Sequence, residues 1–145
     1  MNRVHGTSVS IGGEGILLRG PSGSGKSDLA LRLIDAGALL VADDQTELTR
    51  GDALLEMSAP AALAGLLEVR GLGIVRVPHV TCAPLRLVVD LAPDATIERM
   101  PEPRLCTIAG VSLPLVALDP FTASAPAKLR LALKTLAPAG ACVSP

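Results

Sequence analysis

The sequence has almost no aromatic residues. Its 145 positions hold one phenylalanine, Phe121, and neither tryptophan nor tyrosine. Hydrophobic residues still make up 49% of the chain, so the core must be built from Leu, Val, Ala and Ile. Without aromatics there are no stacking platforms of the kind that single-strand nucleic-acid binders use. Charge of either sign is also nearly balanced, at a net −1. That argues against nucleic-acid binding through a basic surface. No apolar run approaches the ~20 residues of a membrane span. The start, Met1-Asn2-Arg3-Val4-His5-Gly6, lacks the apolar stretch of a signal peptide. The three cysteines, Cys82, Cys106 and Cys142, form neither a CxxC pair nor a zinc spacing. They read as reduced thiols of a cytoplasmic protein.

What is present is a set of short strand-like runs with few helices. Residues 4–11 alternate, and Gly12-Gly13-Glu14-Gly15 turns the chain into Ile16-Leu17-Leu18. Residues 27–36 carry Leu29, Ala30, Leu33 and Ile34 on one helical face, and Gly37 follows as a helix stop. Residues 38–42 form a continuous apolar run, the pattern of a strand buried on both faces. Residues 46–49 and 53–57 predict a second hairpin, and residues 60–66 a short helix. Residues 67–70 and 74–77 flank Gly71-Leu72-Gly73, and residues 85–91 are strand-like. Three prolines make residues 92–103 a loop with a short helix. Residues 105–118 predict a hairpin around Gly110, and residues 127–136 a last helix. The expected fold class is α/β on a mixed, largely buried sheet. The expected domain covers residues 1–137, with a frayed tail over 138–145.

One segment carries specific chemistry. Gly20-Pro21-Ser22-Gly23-Ser24-Gly25-Lys26-Ser27 matches G-x-x-x-x-G-K-[ST] in full. At this composition a chance match is expected in roughly one of several hundred chains. Glycines let the backbone approach phosphates, and successive N–H groups make a nest around their oxygens. The following helix aims its positive dipole end at the same point. Lys26 would bridge the β- and γ-phosphates, and the Ser27 hydroxyl would join a Mg²⁺ shell. ATP or a related nucleotide follows as the ligand, with Mg²⁺ as its companion.

Two carboxylates, Asp43 and Asp44, end the apolar run 38–42, where α/β sheets place ligand sites. One could bind Mg²⁺ and the other accept a proton from an attacking hydroxyl. The competing reading is an Asp pair opening a turn. Glu68 and Arg70 stand two apart, facing one side of a strand. Glu68 is a second candidate metal ligand, against the plainer reading of a surface ion pair beside a turn. His5 and His79 are the two histidines, and spacing alone assigns neither a role. Lys128, Arg130 and Lys134 make one cationic helix side, most simply a solvated face. Arg99 and Arg104 are phosphate contacts or loop charges.

Taken in order, Val4-His5-Gly6-Thr7, the phosphate loop, Leu40-Val41-Ala42-Asp43-Asp44 and Glu68-Val69-Arg70-Gly71-Leu72-Gly73-Ile74 resemble the catalytic domain of the HPr kinase/phosphorylase family. The resemblance runs over about residues 3–136. It implies a P-loop domain of the phosphoenolpyruvate-carboxykinase-like type. It also implies ATP-dependent phosphorylation of a serine on the small phosphocarrier protein HPr, and phosphorolysis of that phosphoserine to pyrophosphate. Carried over by motif, Asp43 would be the base, with His5 and Lys26 as active-site partners. Ser27 and Glu68, with Asp44, would hold Mg²⁺. Arg99, in Ile97-Glu98-Arg99-Met100, would match a family arginine.

There are two departures from the family pattern. The better-known members carry a further N-terminal domain, whereas this chain starts almost at His5 and resembles the short forms of alphaproteobacteria. The late Val-Arg-Pro-Gly-Arg-Asn motif, tied to dephosphorylation, is here replaced by residues 117–128, which lack both arginines. Lys128 is the nearest cation. The resemblance therefore implies kinase activity more firmly than phosphorolysis, and it leaves homo-oligomerisation, hexameric in long members, open. Two other readings remain open. One is a small-molecule P-loop kinase, which would need an arginine-rich lid that is not visible. The other is a non-catalytic nucleotide sensor. With no Tyr or Trp to stack on adenine, nucleotide recognition is expected mainly at the phosphates, with weak discrimination among purines.

Overall fold

The computed structural model describes residues 2–51 and 54–137. The expected tail and Cys142 lie outside the described residues. In chain order the first elements are β1 (Asn2–His5), β2 (Thr7–Ile11), β3 (Glu14–Arg19) and α1 (Lys26–Asp35). Next come β4 (Leu39–Ala42), β5 (Gln45–Arg50), β6 (Leu55–Ser58), β7 (Leu66–Val69) and β8 (Gly73–Arg76). The chain continues through β9 (Cys82–Leu91), β10 (Arg104–Ile108), β11 (Val111–Leu118) and α2 (Ala125–Leu136). This is the mixed α/β arrangement that the strand-rich sequence predicts.

Strands β3 and β9 form the centre and run parallel, with Ile16 opposite Leu87 and Leu18 opposite Val89. On one side β11 adds parallel to β9, and β10 hairpins back onto it. On the other side β2 pairs antiparallel with β3, and β4 antiparallel with β2. Two reversals make β4 parallel to β3. The carboxyl ends of β3, β4, β9 and β11 therefore share one edge, where sheets of this kind collect ligand sites.

The apolar runs explain the layering. Along β3, Ile16 and Leu18 join one buried cluster with Leu29, Leu33, Leu129 and Leu133 of the two helices. Leu17 between them points the other way, into a second cluster with Val41, Leu48, Leu55, Met57 and Val88. A strand whose two faces are both buried needs an unbroken apolar run, as residues 16–18 and 87–89 have. The second cluster is covered by the sheet itself. The first residues of β9 pair with β6, which continues through β5 to β1 and brings Leu48, Leu55 and Met57 over the central strands.

Two expectations need correction. The short helix expected over residues 60–66 is cut to a single 3-10 turn, Ala61–Leu63, with Pro60 before it, Gly65 at φ 77° after it and Leu66 already in β7. A left-handed residue so soon after the proline leaves room for no second turn. Strand β9 begins at Cys82 rather than residue 85, because its first residues serve the β6 pairing. The predicted helix over 27–36 forms as α1. It ends in a Schellman motif, with Gly37 N–H on Ile34 O at 2.9 Å and Ala38 N–H on Leu33 O at 3.0 Å.

Candidate active site

The phosphate-binding motif departs from the end of β3, as its chemistry requires. Arg19, the last residue of that strand, forms a two-pronged ion pair with Asp90 of β9 at 2.8 and 3.1 Å. The hydrogen bond that Arg19 donates to Asp90 raises the guanidinium pKa above its ordinary value. The pair fastens the two central strands together where the loop begins. Gly25 then caps α1 with φ 100°, a conformation that L side chains rarely adopt. The helix dipole and its free N–H groups face the loop.

Lys26 is only 6% exposed. Its ammonium donates to Gly20 O at 2.6 Å and Pro21 O at 3.0 Å, crossing its own loop. The Ser24 hydroxyl is buried in the same loop with no partner. A phosphate group suits this set: an orphaned hydroxyl, a buried cation and a helix N-terminus converge on one loop.

The acidic side is assembled from segments far apart in sequence. Asp43 leaves the end of β4 and accepts three hydrogen bonds. Ser27 Oγ donates to its Oδ1 at 2.7 Å, and Thr7 Oγ1 donates to the same oxygen at 3.0 Å. The Glu68 backbone N–H donates to Oδ2 at 2.9 Å. Asp44 takes a left-handed backbone conformation, φ 66°, which Asp tolerates better than most residues. Thr7 Oγ1 accepts its N–H at 3.1 Å, and Gly6 N–H donates to its carbonyl at 2.8 Å. That turn sends the two carboxylates in different directions. Asp43 faces the loop, and Asp44 Oδ1 meets His5 Nε2 at 2.8 Å.

The phosphate loop and the acidic side border one cleft of about 560 Å³. Its wall includes Lys26, Ser27, Asp43, Asp44, Glu68 and Phe121. Of the residues singled out in sequence, His5 reaches the cleft through Asp44, and Arg70 joins Glu68 on its rim. Arg99 is exposed in the loop after β9 and does not line the cleft. Lys128 is likewise exposed on α2. His79 is held locally, with Nδ1 3.0 Å from Val77 O.

Sequence reasoning passed over two residues. Thr7 is fully buried and supports both aspartates, but a lone threonine on a strand carries no signal. Phe121 lines the cleft beside Gly25. Its signal was available: it is the one aromatic in the chain.

Among the described residues, no three His, Cys, Asp or Glu side chains form a metal-holding group by themselves. Magnesium does not need one. It is ordinarily held by one or two carboxylates together with substrate phosphates and water. Ser27, Asp44 and Glu68 line one cleft, and their oxygen donors fit such an ion. Among the described residues no helix is long and apolar enough to cross a membrane.

The chain is also similar to known proteins of one family. A family model described as the HPr Serine kinase C-terminal domain matches residues 1–100. An HPr kinase/phosphorylase of Exiguobacterium is 50% identical over 78 residues, covering 53% of this chain and 25% of that protein. One from Burkholderia lata is 37% identical over 127 residues, covering 80% of this chain and 39% of that protein. The chain thus spans well under half the length of these relatives. The solved structure of the Hpr(Ser) kinase/phosphatase from Coxiella burnetii superposes with a TM-score of 0.83 at 25% identity. That match covers 94% of this chain and 96% of the other.

Proposed function

Because the chain belongs to the HPr serine kinase C-terminal domain family, we propose that it is an ATP- and Mg²⁺-dependent kinase of a serine on HPr, acting in the cytoplasm. Residues 1–137 are the catalytic unit in this reading. The observation that carries it is the Asp43 carboxylate, which touches the phosphate-loop Ser27 at 2.7 Å and stands in the same cleft as Lys26.

The chemistry follows from these positions. The loop N–H groups and the α1 dipole bind the triphosphate, and Lys26 turns from Gly20 O and Pro21 O to the β- and γ-phosphates. Ser27 and Glu68, with Asp44, would hold Mg²⁺, which would supply charge neutralisation at the phosphate oxygens. An ionised carboxylate offers about four acceptor sites. Three are occupied by Ser27, Thr7 and Glu68 N–H, which fix the carboxyl plane and leave one for the substrate. Asp43 takes the serine proton as the serine oxygen bonds to the γ-phosphorus, and the bond to the β-phosphate oxygen breaks to release ADP. In reverse, protonated Asp43 returns the proton to the serine oxygen as inorganic phosphate takes the phosphoryl group and pyrophosphate leaves. His5 supports this work through Asp44.

The test is direct. Purified protein is incubated with ATP, Mg²⁺ and HPr, and the phosphosite is mapped. Transfer to a serine of HPr is the expected result. ATP binding with no transfer to HPr would leave only a nucleotide sensor. Transfer to nucleosides or sugars instead would make it a small-molecule kinase.

A further inference from the structure

We infer that Phe121 is the platform on which the base of the bound nucleotide rests, so that the cleft holds the base by stacking and does not read its edge. The inference rests on the nucleotide reading above and deepens it. In a chain with one aromatic side chain, that ring is 69% exposed and lines the cleft beside the phosphate loop. A Cβ built on Gly25 would lie 2.9 Å from both Phe121 Cζ and Pro120 Cγ, so the ring packs directly against the loop backbone.

The ring is held in place from its own backbone. Phe121 N–H donates to Asp119 Oδ1 at 2.9 Å, while Asp119 Oδ2 accepts the N–H of Asp94 at 2.9 Å. The Arg32 guanidinium of α1 donates to Pro120 O. The segment is thus tied both to the loop after β9 and to the helix that follows the phosphate loop.

Topology supplies the direction. Across the sheet the strands run β11, β9, β3, β2, β4. The phosphate loop leaves β3, with Asp43 after β4 on one side and Phe121 after β11 on the other. A triphosphate whose terminal phosphate meets Asp43 directs its nucleoside toward Phe121. A phenyl ring stacks on any base and has no hydrogen-bonding group with which to choose among them.

Calorimetry of the protein and of Phe121→Ala, each titrated with ATP, GTP, CTP and inorganic tripolyphosphate in Mg²⁺, tests this. The expected result is a loss of about tenfold in affinity for every nucleotide and none for tripolyphosphate. Phe121→Trp gives a second readout. The natural chain has no Trp or Tyr, so the introduced indole is the sole strong emitter. ATP should quench it and tripolyphosphate should not. Unchanged ATP affinity in Phe121→Ala, or equal losses for ATP and tripolyphosphate, overturns the platform. Those results leave the nucleotide reading standing, whereas failure of the unsubstituted protein to bind either ligand removes both.

Discussion

The Ser27 hydroxyl donates to Asp43 Oδ1 at 2.7 Å, joining the end of the phosphate loop to the end of a strand that lies two places away in the sheet. The contact makes Asp43 part of the nucleotide site and not merely a neighbour of it. Asp43→Asn should lower phosphoryl transfer by roughly 10²–10⁴-fold, the usual contribution of a positioned base. An amide still accepts from Ser27 and Thr7 through its oxygen, but its NH₂ group cannot accept from Glu68 N–H. Stability should therefore fall by only about 1 kcal/mol, and ATP affinity should change little. Initial rates and calorimetry on the same preparation check both halves.

Thr7 is where the two aspartates meet. Thr7→Val keeps the shape but removes the donor to Asp43 and leaves Asp44 N–H without its acceptor. Both bonds are part-buried, so their loss should cost about 1 kcal/mol, the low end for a stranded group. Turnover should fall at least tenfold with little change in the ATP dissociation constant, and Thr7→Ser should restore most of it. Equal turnover in Val and Ser variants would show that the hydroxyl positions nothing.

The His5–Asp44 pair is half exposed on both sides. An ion pair in that setting adds little to stability, about 0–1 kcal/mol. His5→Ala should therefore leave the melting temperature nearly unchanged while reducing transfer to HPr. A variant that melts as the parent does and transfers phosphate at the parent's rate would remove His5 from the site.

Gly25 is required twice over, by its φ of 100° and by the Pro120 and Phe121 atoms 2.9 Å from where a Cβ would stand. Gly25→Ala should destabilise the fold by about 1–2 kcal/mol from the backbone alone. It should also abolish nucleotide binding, as read by thermal unfolding and by titration with ATP.

The parts of this site that could be read in the sequence are the contiguous ones. The phosphate loop, α1 and its Gly37 stop, and the Ala42-Asp43-Asp44 strand end are local patterns whose physics is complete within a few residues. Asp43 is legible because it ends an apolar run, whereas Glu68 stands out only through its spacing to Arg70 and the family resemblance. What escaped was long-range. The Thr7–Asp43 bond spans 36 positions and exists only because β2 lies between β3 and β4. Phe121 lies in a loop, and a loop has no periodicity to show which side chain faces a ligand. Residues 60–66 misled in the opposite way. Their alanines favour a helix, but Pro60 and Gly65 confine them to a single turn.

The central claim is that Asp43 and the phosphate loop together transfer phosphate to a serine of HPr. The most direct measurement is phosphosite mapping after incubation with ATP, Mg²⁺ and HPr, run in parallel for the natural chain and Asp43→Asn, with inorganic phosphate then added to look for pyrophosphate. The account predicts one phosphoserine on HPr from the natural chain, release of pyrophosphate on adding phosphate, and almost no transfer by the variant despite intact ATP binding. Equal phosphorylation by both proteins, or none by the natural chain, would contradict it.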